Sequence, residues 1–227
     1  MGVSIENLYK VFSRYNISEN FRDRCCNCCV TDKEIKLLLS KQLENLSEDD
    51  LGHFMRSAIT TYGDEKDYKH FLPRILELLK FNDNLIDDFL TFEKLNYVNW
   101  KSWDKNEIIA IESYFLSLWI NALKSNSNNQ YFENVFKLLL EYIEMKRVLI
   151  EWESQFSTNR VKFILDYVLY GVEFNITKEN NDAFNNWISS ITVLELLENQ
   201  YHNTNDKSLA KEISIVYTIL EKNGNNK

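Results

Sequence analysis

The chain has 227 residues, of which 44% are hydrophobic, 14% aromatic and 26% charged, with a net charge of −8. That much apolar surface builds a core without disulfide or metal staples, and the charged fraction is that of a globular protein, not a disordered one. The acidic balance argues against nucleic acid, whose backbone calls for a basic face, and against an anionic membrane surface.

Proline occurs once and glycine five times. An all-β chain of this length needs many more of both at its turns, so the sequence expects an all-α protein. Its apolar runs stop short of the ~20 residues that span a bilayer. The opening MGVSIENLYK holds Glu6 and no apolar stretch, which reads as no signal peptide. Glu6 also stands where a myristoylation signal needs Ser or Thr. Abundant Asn, Lys and Ile, all with AT-rich codons, suggest an AT-rich, bacterial genome.

A first helix is expected over 4–16. The segment R-D-R-C-C-N-C-C-V then gathers all four cysteines, at Cys25, Cys26, Cys28 and Cys29. A disulfide framework would scatter them, so the cluster implies a reducing, cytoplasmic compartment. Two C-x-x-C pairs overlap, Cys25/Cys28 and Cys26/Cys29. Thiolates at that spacing chelate zinc from a turn, with Arg22 and Arg24 present to lower their pKa. A closed tetrahedral site needs two further ligands, from His53, His70 or His202, or from both pairs together. The plainer alternative is four small thiols packed between helices, needing no cofactor.

Three segments carry complete helix-start signals. Thr31 caps, Glu34 closes a capping box, and Val30 faces Ile35. Ser47 caps, Asp50 stands at the box position, and Leu46 faces Leu51. Asp104 caps, Glu107 closes the box, and Trp103 faces Ile108. Ser157 is a fourth cap without the acid. Two D-x-x-H steps, Asp50/His53 and Asp67/His70, each place a carboxylate and an imidazole on one helical face, where a metal could bridge them. Helix-start acids give the same pattern for dipole reasons.

The stretch Y-G-D-E-K-D-Y-K-H-F-L-P-R-I-L-E-L contains the sole proline. Gly63 fits a left-handed helix end, and Pro73 marks a kink or a first turn. Tyr68, His70, Arg74 and Glu77 could line a pocket with Arg74 holding an anion. The alternative is a structural joint in which Arg74 pairs with Asp67 or Glu77. Trp100 and Trp103, with Tyr97, could stack a planar ligand or serve as core.

Apolar residues at helical period continue through 104–124, 130–145, 158–172, 178–200 (with a break near Ser190) and 206–222. With 31–44, 47–61, 65–80 and 84–95, this gives nine or ten antiparallel helices. The expected architecture is a single domain, 1–227, as a compact bundle or a HEAT- or armadillo-like stack of helical hairpins. The Asn-rich link at 125–130 is the candidate subdomain boundary.

No phosphate loop, dinucleotide fingerprint, H-E-x-x-H or G-x-S-x-G is present. Acids crowd the first half: Glu48, Asp49, Asp50, Asp64, Glu65, Asp67, Asp87 and Asp88. If they share a face, they steer a basic partner. The sequence therefore favours a non-enzymatic protein-interaction domain for a basic protein, as a toxin-neutralising immunity protein would be. The alternatives are a metal-binding protein, with zinc at Cys25–Cys29 or a helical D-x-x-H site, and an enzyme with a pocket at Tyr62–Glu77.

Overall fold

The computed structural model describes residues 2–79, 86–125, 129–171, 174 and 176–224, without the side chains at 86–90, 129, 130, 158, 159, 223 and 224. Among the described residues the chain is helical, with no strand. Twelve α-helices follow in order: α1 Gly2–Phe12, α2 Asp32–Leu39, α3 Glu48–Ser57, α4 Glu65–Leu78, α5 Ile86–Tyr97, α6 Lys105–Lys124, α7 Asn129–Tyr142, α8 Met145–Ser154, α9 Thr158–Tyr170, α10 Lys178–Ile188, α11 Ile191–Asn203 and α12 Lys207–Gly224.

Two helices exceed the ten expected. Ser190 divides the 178–200 stretch, its hydroxyl accepting from the Val193 amide to start α11. Helix α8 opens on Glu144, which makes no side-chain cap, so no start signal announces it. No helix of the described residues is long and apolar enough to cross a membrane.

Packing divides the chain into two compact units, Met1–Tyr114 and Phe115–Lys227, with the division inside α6. In the first, α1 packs on α4, α2 on α3, and α3 on α4 and α5. Its core holds Phe21, Phe54, Tyr62 and Phe71, with Phe54 and Phe71 centroids 4.6 Å apart. Burying each such ring contributes about 1.5–3 kcal/mol.

One device recurs in this unit. At α2, α3 and α4 the N-cap side chain (Thr31, Ser47, Asp64) accepts from the third helical residue's amide, whose own carboxylate (Glu34, Asp50, Asp67) reaches back to the cap amide. At α6, Glu107 accepts from the Asp104 amide at 3.3 Å. Each of these four acids also binds a distant cation or imidazole: Glu34 with His53, Asp50 with Lys41, Asp67 with Arg24, and Glu107 with Lys69 and Arg14. The capping acid is thus also a tertiary link. Asp64 and Glu65 pair in turn with Arg24 and Lys69. The side chains of Asp87 and Asp88 lie outside the described residues.

The second unit is built around Trp152, fully buried in α8. The rings of Trp187, Phe132, Trp119, Phe136, Phe163 and Phe184 surround it at centroid distances of 5.0–5.9 Å. Buried Arg160 of α9 donates to the carbonyls of Ala122, Leu123 and Ser125, which end α6. Its guanidinium also lies 4.4 Å from the Phe132 ring. A cation at a helix C-terminus satisfies orphan carbonyls and the dipole together. Ser157, expected to cap α9, occupies the N-cap position but makes no side-chain bond there.

Candidate metal centre

The cysteine turn follows a short 3-10 helix, Glu19–Arg24. The amides of Cys29 and Val30 both donate to the Cys26 carbonyl, at 3.2 and 3.0 Å, and this winds the chain so that side chains at 26, 28 and 29 share one side. Their sulfurs lie within 4.8 Å of one another. Cys26 Sγ and Cys28 Sγ are 2.9 Å apart, and Cys28 Sγ and Cys29 Sγ 3.6 Å. Cys28 and Cys29 are exposed and Cys26 half-buried. Cys25 is buried and turned away, donating its thiol to the Phe21 carbonyl at 3.2 Å. The structure therefore groups Cys26, Cys28 and Cys29, where spacing alone suggested two C-x-x-C pairs.

The turn is fastened from outside. The Cys26 amide donates to the Thr61 carbonyl at 2.8 Å, and the Gly63 amide to the Arg24 carbonyl at 3.2 Å. Arg24 reaches into α4, with Nε and Nη2 on the two oxygens of Asp67 at 2.7 Å each. Arg22 donates to the Val30 carbonyl at 2.9 Å and pairs with Asp32. Gly63 has φ +75°, and a Cβ there would stand 3.0 Å from Asp67 and 3.1 Å from the Phe21 ring. Both the left-handed backbone and the close approach require glycine. Helix α3 ends earlier than Gly63, at Ser57, followed by Ile59 at φ +71°, a strained value for a β-branched residue.

Hydrogen bonds from the Cys28 and Cys29 thiols bring the Cys26 thiol down to about 7, and the contact with Cys26 pushes Cys29 up to about 11. Burial pushes the Cys25 thiol up, outweighing the nearby arginines. Arg22 and Arg24 were expected to activate the thiols. They do lower Cys25, though less than burial raises it, and they hold the turn in place, while at Cys26 and Cys29 the sulfurs act foremost on one another.

The other candidate residues go elsewhere. His53 Nδ1 lies 2.9 Å from Glu34, with its ring edge-on to Tyr62, while Asp50 binds Lys41 and Ser47. His70 Nδ1 lies 2.8 Å from the Tyr15 carbonyl, while Asp67 holds Arg24. Neither D-x-x-H step converges on a shared point. Pro73 sits inside α4, beyond its first turn. Arg74 donates to Glu77 and to the Leu46 carbonyl, both at 2.6 Å, and Glu77 also accepts from Tyr9. That is the joint arrangement. Tyr68, Trp100 and Trp103 are buried in the first unit, with the Tyr68 and Trp103 rings edge to face.

Sequence reasoning missed a buried ionic cluster. Glu107 is fully buried. Its Oε1 accepts from Arg14 and Tyr15 at 2.5 Å each, and its Oε2 from Lys69 at 3.1 Å. Lys69 Nζ lies 4.1 Å from the Trp103 ring centroid. Burial alone would raise the Glu107 pKa, but hydrogen bonds from Tyr15, Arg14 and Lys69 outweigh it and hold the carboxyl below its ordinary range. With all these donors in place the carboxylate is saturated, which suits a staple better than a catalyst. The signal in the sequence was the capping box, which found Glu107 but not its partners.

Compared with protein-family models, curated proteins and solved structures, the chain matches none.

Proposed function

We propose that the protein binds a thiophilic d10 cation, zinc(II) or copper(I), on the Cys26–Cys28–Cys29 turn. The observation that carries this reading is three sulfurs from one turn within 4.8 Å of one another. Three thiolates around tetrahedral zinc, with zinc–sulfur bonds of about 2.3 Å, stand about 3.8 Å apart. Small χ1 adjustments take the present spacing there. Soft thiolate donors favour copper(I) and zinc over harder cations. The reading goes with a reducing compartment such as the cytoplasm, where free thiols persist.

The alternative of a basic protein partner rests on the net charge of −8. Of the acids that would form its acidic face, Asp50, Asp64, Glu65 and Asp67 are each engaged by a cation of this chain. The three-thiol turn therefore carries more weight. For the architecture, the pairings α2 on α3, α7 on α8 and α11 on α12 support a stack of helical hairpins in each unit.

The test is elemental analysis of protein purified reduced and without chelator, followed by cobalt(II) titration. A single equivalent with a thiolate-to-metal charge-transfer band is expected, lost in the C26S/C28S/C29S variant. Equal binding by that variant would refute the reading.

A further inference from the structure

Whether a metal holds a fold together or is carried by it is written in what fixes the ligands. Structural zinc sites are closed by four protein ligands, and the chain around them does not fold without the ion. The cysteine turn has the opposite construction. Its backbone is held by the Cys26 amide on Thr61 and the Gly63 amide on Arg24. The Arg24–Asp67 pair ties it to the first turn of α4. Val30, at its end, is sunk in the core with 1% of its surface exposed. None of these ties passes through the sulfurs. The Cys28 and Cys29 side chains stand in solvent. Among the described residues the convergent ligands are these three sulfurs alone. The nearest histidine by sequence, His53, is occupied by Glu34 and Tyr62.

Resting on the metal reading above, we infer that the turn is an exchange site, which passes its cation to, or takes it from, a thiolate on another molecule. Three protein sulfurs leave zinc a fourth position, held by water and open to an incoming ligand. An external thiolate forms a zinc–sulfur bond there as the water leaves. A zinc–Cys28 or zinc–Cys29 bond then breaks, and the released thiolate takes a proton from solvent. Repetition moves the ion across with no change in oxidation state and no unliganded intermediate. Exposure of the two outer sulfurs gives the incoming group its path. The external ties keep the emptied turn in shape for the next ion.

The inference is tested on the full-length protein loaded with zinc(II) under reducing, anaerobic conditions. The loaded protein is mixed with excess acceptor, either a Cys-x-x-Cys peptide or a tripeptide monothiol, and release is followed by native mass spectrometry. Exchange by attack predicts a release rate proportional to acceptor concentration for at least one of the two acceptors. Proportionality with the dithiol peptide alone assigns the acceptor to a protein-type ligand pair, and proportionality with both admits small thiols as well; either supports exchange. A rate independent of acceptor concentration overturns it. So does an unfolded metal-free protein, because the ion would then be structural. Failure to load at all is a separate result, seen before any acceptor is added, and it removes the metal reading together with this one. The D67N variant gives a second readout: with the sulfurs intact but the tie to α4 weakened, zinc affinity should fall about 10-fold or more. Unchanged affinity in folded D67N would show that the ties do not shape the site.

Discussion

Arg24 grips Asp67 at both oxygens, Nε on Oδ2 and Nη2 on Oδ1, each at 2.7 Å. Asp67 is buried, whereas a quarter of the Arg24 side chain (25%) is exposed. Breaking a buried pair from one side costs about 3–5 kcal/mol, because the other charge stays behind without its partner. With Arg24 partly in solvent, Asp67→Ala should fall at the low end, about 3 kcal/mol by urea unfolding. A loss below about 1 kcal/mol would mean that the pair behaves as an exposed one.

Glu107 gathers Arg14, Tyr15 and Lys69. Glu107→Gln keeps the shape but removes the charge that offsets Lys69, which has 9% of its side chain exposed. The expected loss is about 3 kcal/mol. Lys69→Met alone should cost a similar amount, and the double variant should cost less than the sum of the two. Strict additivity in that cycle would deny the coupling.

Acid should weaken the first unit through its helix caps. Hydrogen bonds from the Thr31 amide and hydroxyl, then from His53, bring Glu34 down to about 2; the Lys41 ammonium, then Ser47, does the same for Asp50. Unfolded carboxyls titrate near 4. A depressed folded value means stability that is present above about pH 4 and lost as pH falls toward 2. Melting temperature followed over that interval should drop less steeply in the E34Q/D50N variant. Parallel curves would show that the caps do not contribute.

Thiol alkylation reads the cysteine turn without metal. Modification of the reduced protein should rise through pH about 7 at the turn of Cys26, Cys28 and Cys29, where the sulfurs bring one thiol down to about 7, with buried Cys25 last. Cys28→Ala removes the leading hydrogen bond to Cys26 and should move the midpoint up toward the ordinary thiol value of about 8.5. A wild-type midpoint at the ordinary thiol value would contradict the hydrogen-bond pattern.

In the second unit, Arg160→Ala strands the carbonyls of Ala122, Leu123 and Ser125. Each buried group without a partner costs about 1–3 kcal/mol, so a total near 3 kcal/mol allows for water entering the gap. Arg160→Lys restores charge but not the planar fork and should recover about half of that. Full recovery by lysine would make the charge sufficient.

The helical class was legible because its signals are local. Thr31/Glu34, Ser47/Asp50 and Asp104/Glu107 each announce a helix start within four residues, and the structure keeps all three starts. Of the two additional helices, the break at Ser190 was legible, and α8 was hidden for a related reason, since Glu144 before it offers no cap. The tertiary partners were not legible. Nothing near Glu107 in sequence points to Arg14, 93 residues away, or to Lys69. The cysteines were visible as a cluster, but which three converge depends on the turn that buries Cys25 against Phe21. That turn is set by the Thr61–Gly63 corner, 37 residues further along the chain at the Cys25–Tyr62 bridge, more than any spacing rule spans.

The acids that start α2, α3, α4 and α6 are also the acids that hold remote side chains, and this bears on how the first unit assembles. A nascent helix that forms its capping box alone gains only the local half of its carboxylate's bonds. The other half arrives when His53, Lys41, Arg24 or Lys69 docks. Helix initiation and long-range docking therefore reward each other, which raises the cooperativity of the whole transition. First-turn amides, ordinarily the earliest to fray, should exchange with solvent here at rates close to those of the core.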